Sequence, residues 1–196
     1  AGLVVYGTVF HNAFENRIQS SFDPELGFSV DRNVGAVEFT GADFQVGWDP
    51  LEQVTLSAFA SFINAELQDN LVGTTSGSII ATAGKTLVEV PDVTYGGRVE
   101  FRPVEGLEFG LQYKFVDSRY TNDLNTEETE AYSLWDFDAR YELERFGLED
   151  SYLQLNVTNL FDEEYLGSIN SQGGAGLATA QVGAPLTVQV SLRAGF

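Results

Sequence analysis

Apolar and polar residues alternate with a period of two along most of this chain. From Leu186 to Phe196 one face carries Leu186, Val188, Val190, Leu192, Ala194 and Phe196, the other Thr187, Gln189, Ser191, Arg193 and Gly195. Strict alternation marks a strand, because successive side chains point to opposite faces. The same pattern sets Leu107, Phe109, Leu111, Tyr113 and Phe115 against Glu108, Gly110, Gln112 and Lys114. It sets Trp135, Phe137, Ala139 and Tyr141 against Asp136, Asp138, Arg140 and Glu142, and Val93, Tyr95, Gly97, Val99 and Phe101 against Thr94, Arg98 and Glu100. Further apolar rows run through Val54–Phe62, Ala42–Trp48 and Leu153–Val157. Leu3 to Ile18 also reads as strand, but both faces are mixed and neither can be assigned. About eight strands result and no segment carries a helical stripe, so the class is all-β and antiparallel.

The connections alternate in length. Short turns fall at 49–52, 103–106 and 144–149, long polar connections at about 19–32, 66–89, 118–131 and 163–184. Strands near the length a tilted bilayer crossing needs, with short turns at one end and long loops at the other, describe an up-and-down transmembrane β-barrel. Aromatic residues gather at strand ends, as interfacial girdles require: Trp48, Phe101, Phe109 and Tyr141 beside short turns, Phe115, Tyr132 and Trp135 beside long ones. A soluble β-sandwich shares the short alternating strands but has no need of such girdles.

Composition narrows the chemistry. Ten basic against twenty-nine acidic residues, a net charge of -19, exclude a nucleic-acid partner, since little here could replace a phosphate counterion atmosphere. The absence of cysteine excludes disulfides and thiolate zinc sites. His11 is the lone imidazole and has no adjacent nucleophile signature, while Asp136 and Asp138, two apart on a strand, are neighbours on one face. No enzyme, cofactor or metal site is expected, and the acidic loops lack the spacing of a calcium loop. The chain does not start with methionine, which reads as a processed or cut polypeptide.

The polar faces would line a lumen, and turn lengths predict who meets there. If the turn at Pro103 pairs Phe101 with Phe109, Arg102 comes opposite Glu108. If the next hairpin pairs Tyr141 with Leu153, Arg140 comes opposite Gln154, with Asp138 two residues away. Arg98, Arg102, Glu108, Asp136, Asp138 and Arg140 are therefore the expected lumen network.

Asn159-Leu160-Phe161-Asp162-Glu-Glu-Tyr165, followed by Gly183-Ala-Pro and the alternating strand ending at Phe196, resembles the carboxy-terminal end of TonB-dependent outer-membrane receptors. Asn33–Asp43 and Val90-Pro91 resemble further strand starts of that family. The last strand, with Val188, Val190, Leu192 and Phe196 at alternate positions, also resembles the signal read by the barrel-assembly machinery. The resemblance implies the outer membrane of a Gram-negative bacterium, with membrane lipid around the wall. It also implies TonB-energised uptake of a scarce nutrient such as a ferric siderophore. Family barrels have about 22 strands around a plug. Residues 1–196 would then be a single β-barrel segment, the carboxy-terminal part of such a barrel without its plug. The rest of the barrel and the plug would come from missing regions or other chains, and the TonB complex would be reached only through those regions. The short turns would face the periplasm and the long loops the exterior. The alternative is a complete small eight-stranded barrel with an anchoring or structural role.

Overall fold

The computed structural model describes residues 2–16, 18–23, 27–33, 35–72, 79–170 and 178–195. Eight long strands are β1 (Leu3–Phe14), β2 (Val37–Leu51), β3 (Val54–Leu67), β4 (Val93–Val104), β5 (Leu107–Val116), β6 (Tyr132–Glu142), β7 (Tyr152–Thr158) and β8 (Thr187–Arg193). They lie side by side in chain order in one antiparallel sheet, the meander that alternating short and long connections dictate. Both predicted registers are present: Phe101 pairs with Phe109, and Tyr141 with Leu153. Among the described residues, β1 and β8 are not paired with each other, so the sheet is open and does not close as a small eight-stranded barrel would.

The long connections are not plain polar loops. Each holds a two-stranded ribbon: Ile18–Asp23 with Phe28–Asn33, Leu71–Val72 with Ile79–Ile80, Arg119–Tyr120 with Glu128–Thr129, and Leu166–Asn170 with Thr179–Val182. Pairing satisfies the backbone groups that a bare loop would leave to water.

One face of the sheet is a continuous apolar band. Trp48 pairs with Leu56, Leu56 with Val99, Val99 with Leu111, Leu111 with Phe137, Phe137 with Val157, and Val157 with Val188. Much of the row is exposed, Val188, Val190 and Leu192 at 60%, 66% and 69%, as expected of side chains whose solvent is hydrocarbon. Toward the long connections of β2 and β3 the two faces exchange character. Beyond Ala42 and Phe62 the band continues as Thr40, Glu38, Asn64 and Glu66, joined by His11, whose Nδ1 lies 3.0 Å from Thr40 Oγ1 and Nε2 3.3 Å from Glu38. On the opposite face Val37, Ala65 and Leu67 turn buried and close a small core with Leu71 and Leu87. The apolar band ends where the bilayer would end, and the apolar residues beyond it serve to seat the ribbons.

The girdle expectation holds for Trp48, Phe101, Phe109, Phe115, Trp135 and Tyr141, which share the apolar face. It fails for Tyr132, which pairs with Val116 on the other face and stacks on Tyr165 at 4.5 Å. Period two decides the matter: Tyr132 is out of phase with Trp135 by an odd number of residues.

Candidate functional site

The charged face of β4–β7 carries a run of ion pairs. Arg98 leaves β4, crosses β5 and takes Asp138 of β6 with both terminal nitrogens, Nη1–Oδ1 at 2.6 Å and Nη2–Oδ2 at 3.0 Å. Its Nε donates to Glu100 at 2.9 Å. The crossing is possible because Gly110, opposite Asp138 on β5, has no side chain; a Cβ there would collide with both the guanidinium and the carboxylate. Arg102 bonds Glu100 at 3.2 Å, Glu108 at 3.5 Å and Thr55 Oγ1 at 2.6 Å, linking β3, β4 and β5. Arg140 pairs with Glu142 at 2.9 Å and lies 3.9 Å over the Tyr152 ring. An open groove of about 530 Å³ runs past Arg102, Glu108, Arg140 and Glu142.

The structure thus brings together five of the six expected residues, in two clusters. Arg102 meets Glu108 as the register predicts. Arg140 does lie opposite Gln154, yet Gln154 turns to Asn156 at 2.9 Å and Arg140 takes Glu142 instead. Asp136 is the exception: its Oδ1 accepts the backbone N–H of Asn159 at 2.8 Å. Glu100 and Glu142, which the alternation places on this face, and Thr55 enter as partners that the turn registers did not pair.

Asn159, Leu160, Phe161, Asp162 and Tyr165 form a lock at the far end of β7. Asn159 is buried and held in the left-handed region at φ 53. Its Nδ2 donates to the carbonyls of Glu163 and Ala184 at 2.9 and 3.0 Å, and its Oδ1 accepts from Glu163 N–H at 2.8 Å. Leu160 N–H donates to the Trp135 carbonyl at 2.7 Å, and Leu186 N–H to Asp162 Oδ1 at 2.8 Å, so one turn ties β6, β7 and the start of β8. Phe161 is exposed, with its ring 6.3 Å from Trp135. Tyr165 lies flat against Gly183, where a Cβ would strike its ring. Arg119, buried in the preceding connection, donates to the Leu166 carbonyl at 2.6 Å and the Gly167 carbonyl at 3.3 Å and anchors the last ribbon.

Val188, Val190 and Leu192 sit on the exposed apolar face of β8, while Phe196 lies outside the described residues. Among the described residues no group of three or more His, Asp and Glu converges on a point where a metal could be held. The arrangement provides charge-assisted bonds along a wall and a hydrogen-bonded turn that ties down the start of the last strand.

The family model described as TonB dependent receptor-like, beta-barrel, matches residues 2–160. The ferrichrome outer membrane transporter and phage receptor of Escherichia coli K12 is 28% identical over 94% of this chain and 24% of its own length. Among solved structures, the ferric yersiniabactin uptake receptor of Yersinia pestis superposes with a TM-score of 0.76 at 20% identity, over 100% of this chain and 28% of that one. The siderophore receptor of Acinetobacter baumannii gives 0.75 at 20% identity, over 97% and 26%. The chain therefore spans about a quarter of the length of the proteins it matches.

Proposed function

The chain belongs to the TonB-dependent receptors, proteins of the Gram-negative outer membrane, and on that premise we propose that it is one wall sector of a receptor barrel importing a ferric siderophore. The observation that carries this reading is an open eight-stranded sheet, apolar on one face and charged on the other, within the residues that match the family model. The relatives' names supply the substrate class, since the matched proteins handle ferrichrome and ferric yersiniabactin. A sheet with two unpaired edges cannot stand in hydrocarbon, where every backbone group needs a partner, so β1 and β8 are completed by further strands of the barrel. This disfavours the self-contained small barrel.

In this reading residues 1–196 are a single barrel segment. The apolar band meets outer-membrane lipid, the charged face meets the lumen and its plug, and the long connections with their ribbons stand outside the cell. TonB is engaged by regions outside this chain. Val188, Val190 and Leu192, with Phe196, serve the assembly machinery as a recognition strand, and Asn159–Tyr165 keeps that strand in register. No catalytic step is assigned to any residue.

The test is uptake of radiolabelled iron chelates by the full-length receptor in an iron-starved strain lacking its own receptors. The expected result is accumulation of at least one ferric siderophore that stops when TonB is deleted. No import of any ferric chelate, or import indifferent to TonB, would overturn the reading.

A further inference from the structure

The described parts of the long connections contain side chains as deeply buried as any in the wall. Thr82, Leu87 and Asn122 are each no more than 1% exposed, and Arg119 is buried with them. Backbone that is packed and bonded in this way resists local opening.

Segment 85–87 lies beside the end of β3 like one more strand. Leu67 N–H donates to the Lys85 carbonyl and Leu87 N–H to the Ala65 carbonyl, both at 2.8 Å. Backbone groups of successive residues in an extended chain point to opposite sides, so those of Thr86 point away from β3. Asn125 of the next connection takes both of them: Thr86 N–H donates to its Oδ1 at 2.7 Å, and its Nδ2 donates to the Thr86 carbonyl at 2.9 Å. A side-chain amide thus stands in for a neighbouring strand. Asn125 is aimed there from φ 54, a left-handed conformation that asparagine tolerates. The turn is closed by Asn122, whose carbonyl accepts Asn125 N–H at 3.0 Å and whose Oδ1 accepts Thr126 N–H at 3.1 Å. Glu89 N–H adds a bond to the Tyr120 carbonyl at 3.0 Å.

On its other side the same connection holds the ribbon Leu166–Asn170 with Thr179–Val182. Arg119 takes the adjacent carbonyls of Leu166 and Gly167 with two nitrogens of its planar fork, a geometry that a lysine ammonium does not reproduce. Its guanidinium lies 5.8 Å over the Tyr132 ring, which stacks on Tyr165. The two ribbons face each other across a recess of about 360 Å³ lined by Thr121, Glu127, Leu166 and Ala180. One connection therefore grips both of its neighbours, one by an amide and the other by a guanidinium.

We propose that Asn125 and Arg119 are positioning residues that join segments 79–89 and 119–129 and the last ribbon into one fixed rim over β3–β8. The rim keeps its shape while cargo enters, and any closure over the cargo belongs to other parts of the receptor. The place of this rim outside the cell rests on the receptor reading above; its rigidity does not.

The chain has no cysteine, which makes site-directed labelling direct. In the full-length receptor, with any cysteine of its other regions replaced by serine, nitroxides are placed in pairs at exposed positions: Ala83→Cys with Glu127→Cys, and Glu127→Cys with Val182→Cys. Heat-modifiable migration confirms that each variant is folded. In lipid nanodiscs each pair should give one narrow distance distribution. Asn125→Ala should widen the first by at least about twofold and leave the second unchanged. Arg119→Lys, which keeps the charge and loses the fork, should widen the second and leave the first. Broad distributions without either substitution, or widths indifferent to both, overturn the rim whatever the cargo. Bridging positions 83 and 127 with a bis-maleimide of matching length should leave the TonB-dependent accumulation of radiolabelled ferric siderophore unchanged. A fall of about threefold or more would show that the joint opens during import, and would overturn the fixed rim. A receptor that imports no chelate even without the bridge fails the import reading alone, and the distance distributions still decide the rim.

Discussion

Arg98 and Asp138 stand on strands that are not neighbours, and they meet only because Gly110 lies between them. Their side chains are 27% and 21% exposed, so the bidentate pair is partly withdrawn from water and stronger than a surface ion pair. Through Glu100 and Arg102 the connection extends to Glu108 and Thr55, which ties β3, β4, β5 and β6 together.

Gly110→Ala should therefore act like a change of charge. The methyl group forces Arg98 and Asp138 apart, and the receptor should lose about 1–3 kcal/mol of stability. Asp138→Ala should cost a similar amount, by leaving one guanidinium under-satisfied. Because both substitutions remove the same pair, the double variant should be clearly less destabilised than the sum of the two. Urea unfolding of the full-length receptor in lipid vesicles reads this directly, and strict additivity would show that Gly110 and the pair act independently.

Substitutions at Asn159 separate two physical contributions. Asn159→Ala removes three side-chain hydrogen bonds and puts an ordinary residue at φ 53, and it should cost about 2–4 kcal/mol. Asn159→Asp keeps the acceptor for Glu163 N–H but loses the donors to Glu163 and Ala184, so its effect should be intermediate. Hydrogen exchange at Thr187–Arg193 should speed up in that order, since the lock holds the start of β8.

The apolar face of the sheet should respond differently to a charge inside the band and beyond it. Leu111→Arg, in the apolar band, should cost about 2–4 kcal/mol if it lies near the bilayer midplane. Thr40→Arg, on the same face beyond the band, should change stability by no more than about 0.5 kcal/mol. Similar effects at the two sites would place the membrane boundary elsewhere.

Much of this wall was legible beforehand, for physical reasons. The turns at 103–106 and 143–151 are short enough for strand alternation to set the register across them, hence Phe101 opposite Phe109 and Arg102 near Glu108. Reach across two strands was not legible. Alternation puts Arg98 and Asp138 on one face, but only the sheet shows Gly110 between them. The faces of β1 resisted assignment because Val4 and Tyr6 are as apolar as Leu3 and Val5 on the opposite side. The ribbons Leu71–Val72 with Ile79–Ile80 and Arg119–Tyr120 with Glu128–Thr129 have two residues to a strand, too few to show a period. The core of Leu67, Leu71 and Leu87 was missed because its residues come from three separate stretches.

Phe196→Ser should slow assembly of the receptor by purified assembly machinery several-fold while leaving the urea midpoint of the assembled barrel unchanged. A shift in the midpoint with an unaltered assembly rate would mark the residue as part of the finished wall rather than of a recognition signal.

The central claim is that this sheet is a membrane wall with lipid on one face and the lumen on the other. Nitroxide scanning along Leu107–Val116 in the full-length receptor, reconstituted in lipid, tests it most directly. Positions 107, 109, 111, 113 and 115 should be open to oxygen dissolved in the bilayer, and positions 108, 110, 112, 114 and 116 closed to it, in strict alternation. Uniform accessibility, or oxygen reaching the Glu108 and Gln112 face instead, would contradict the account.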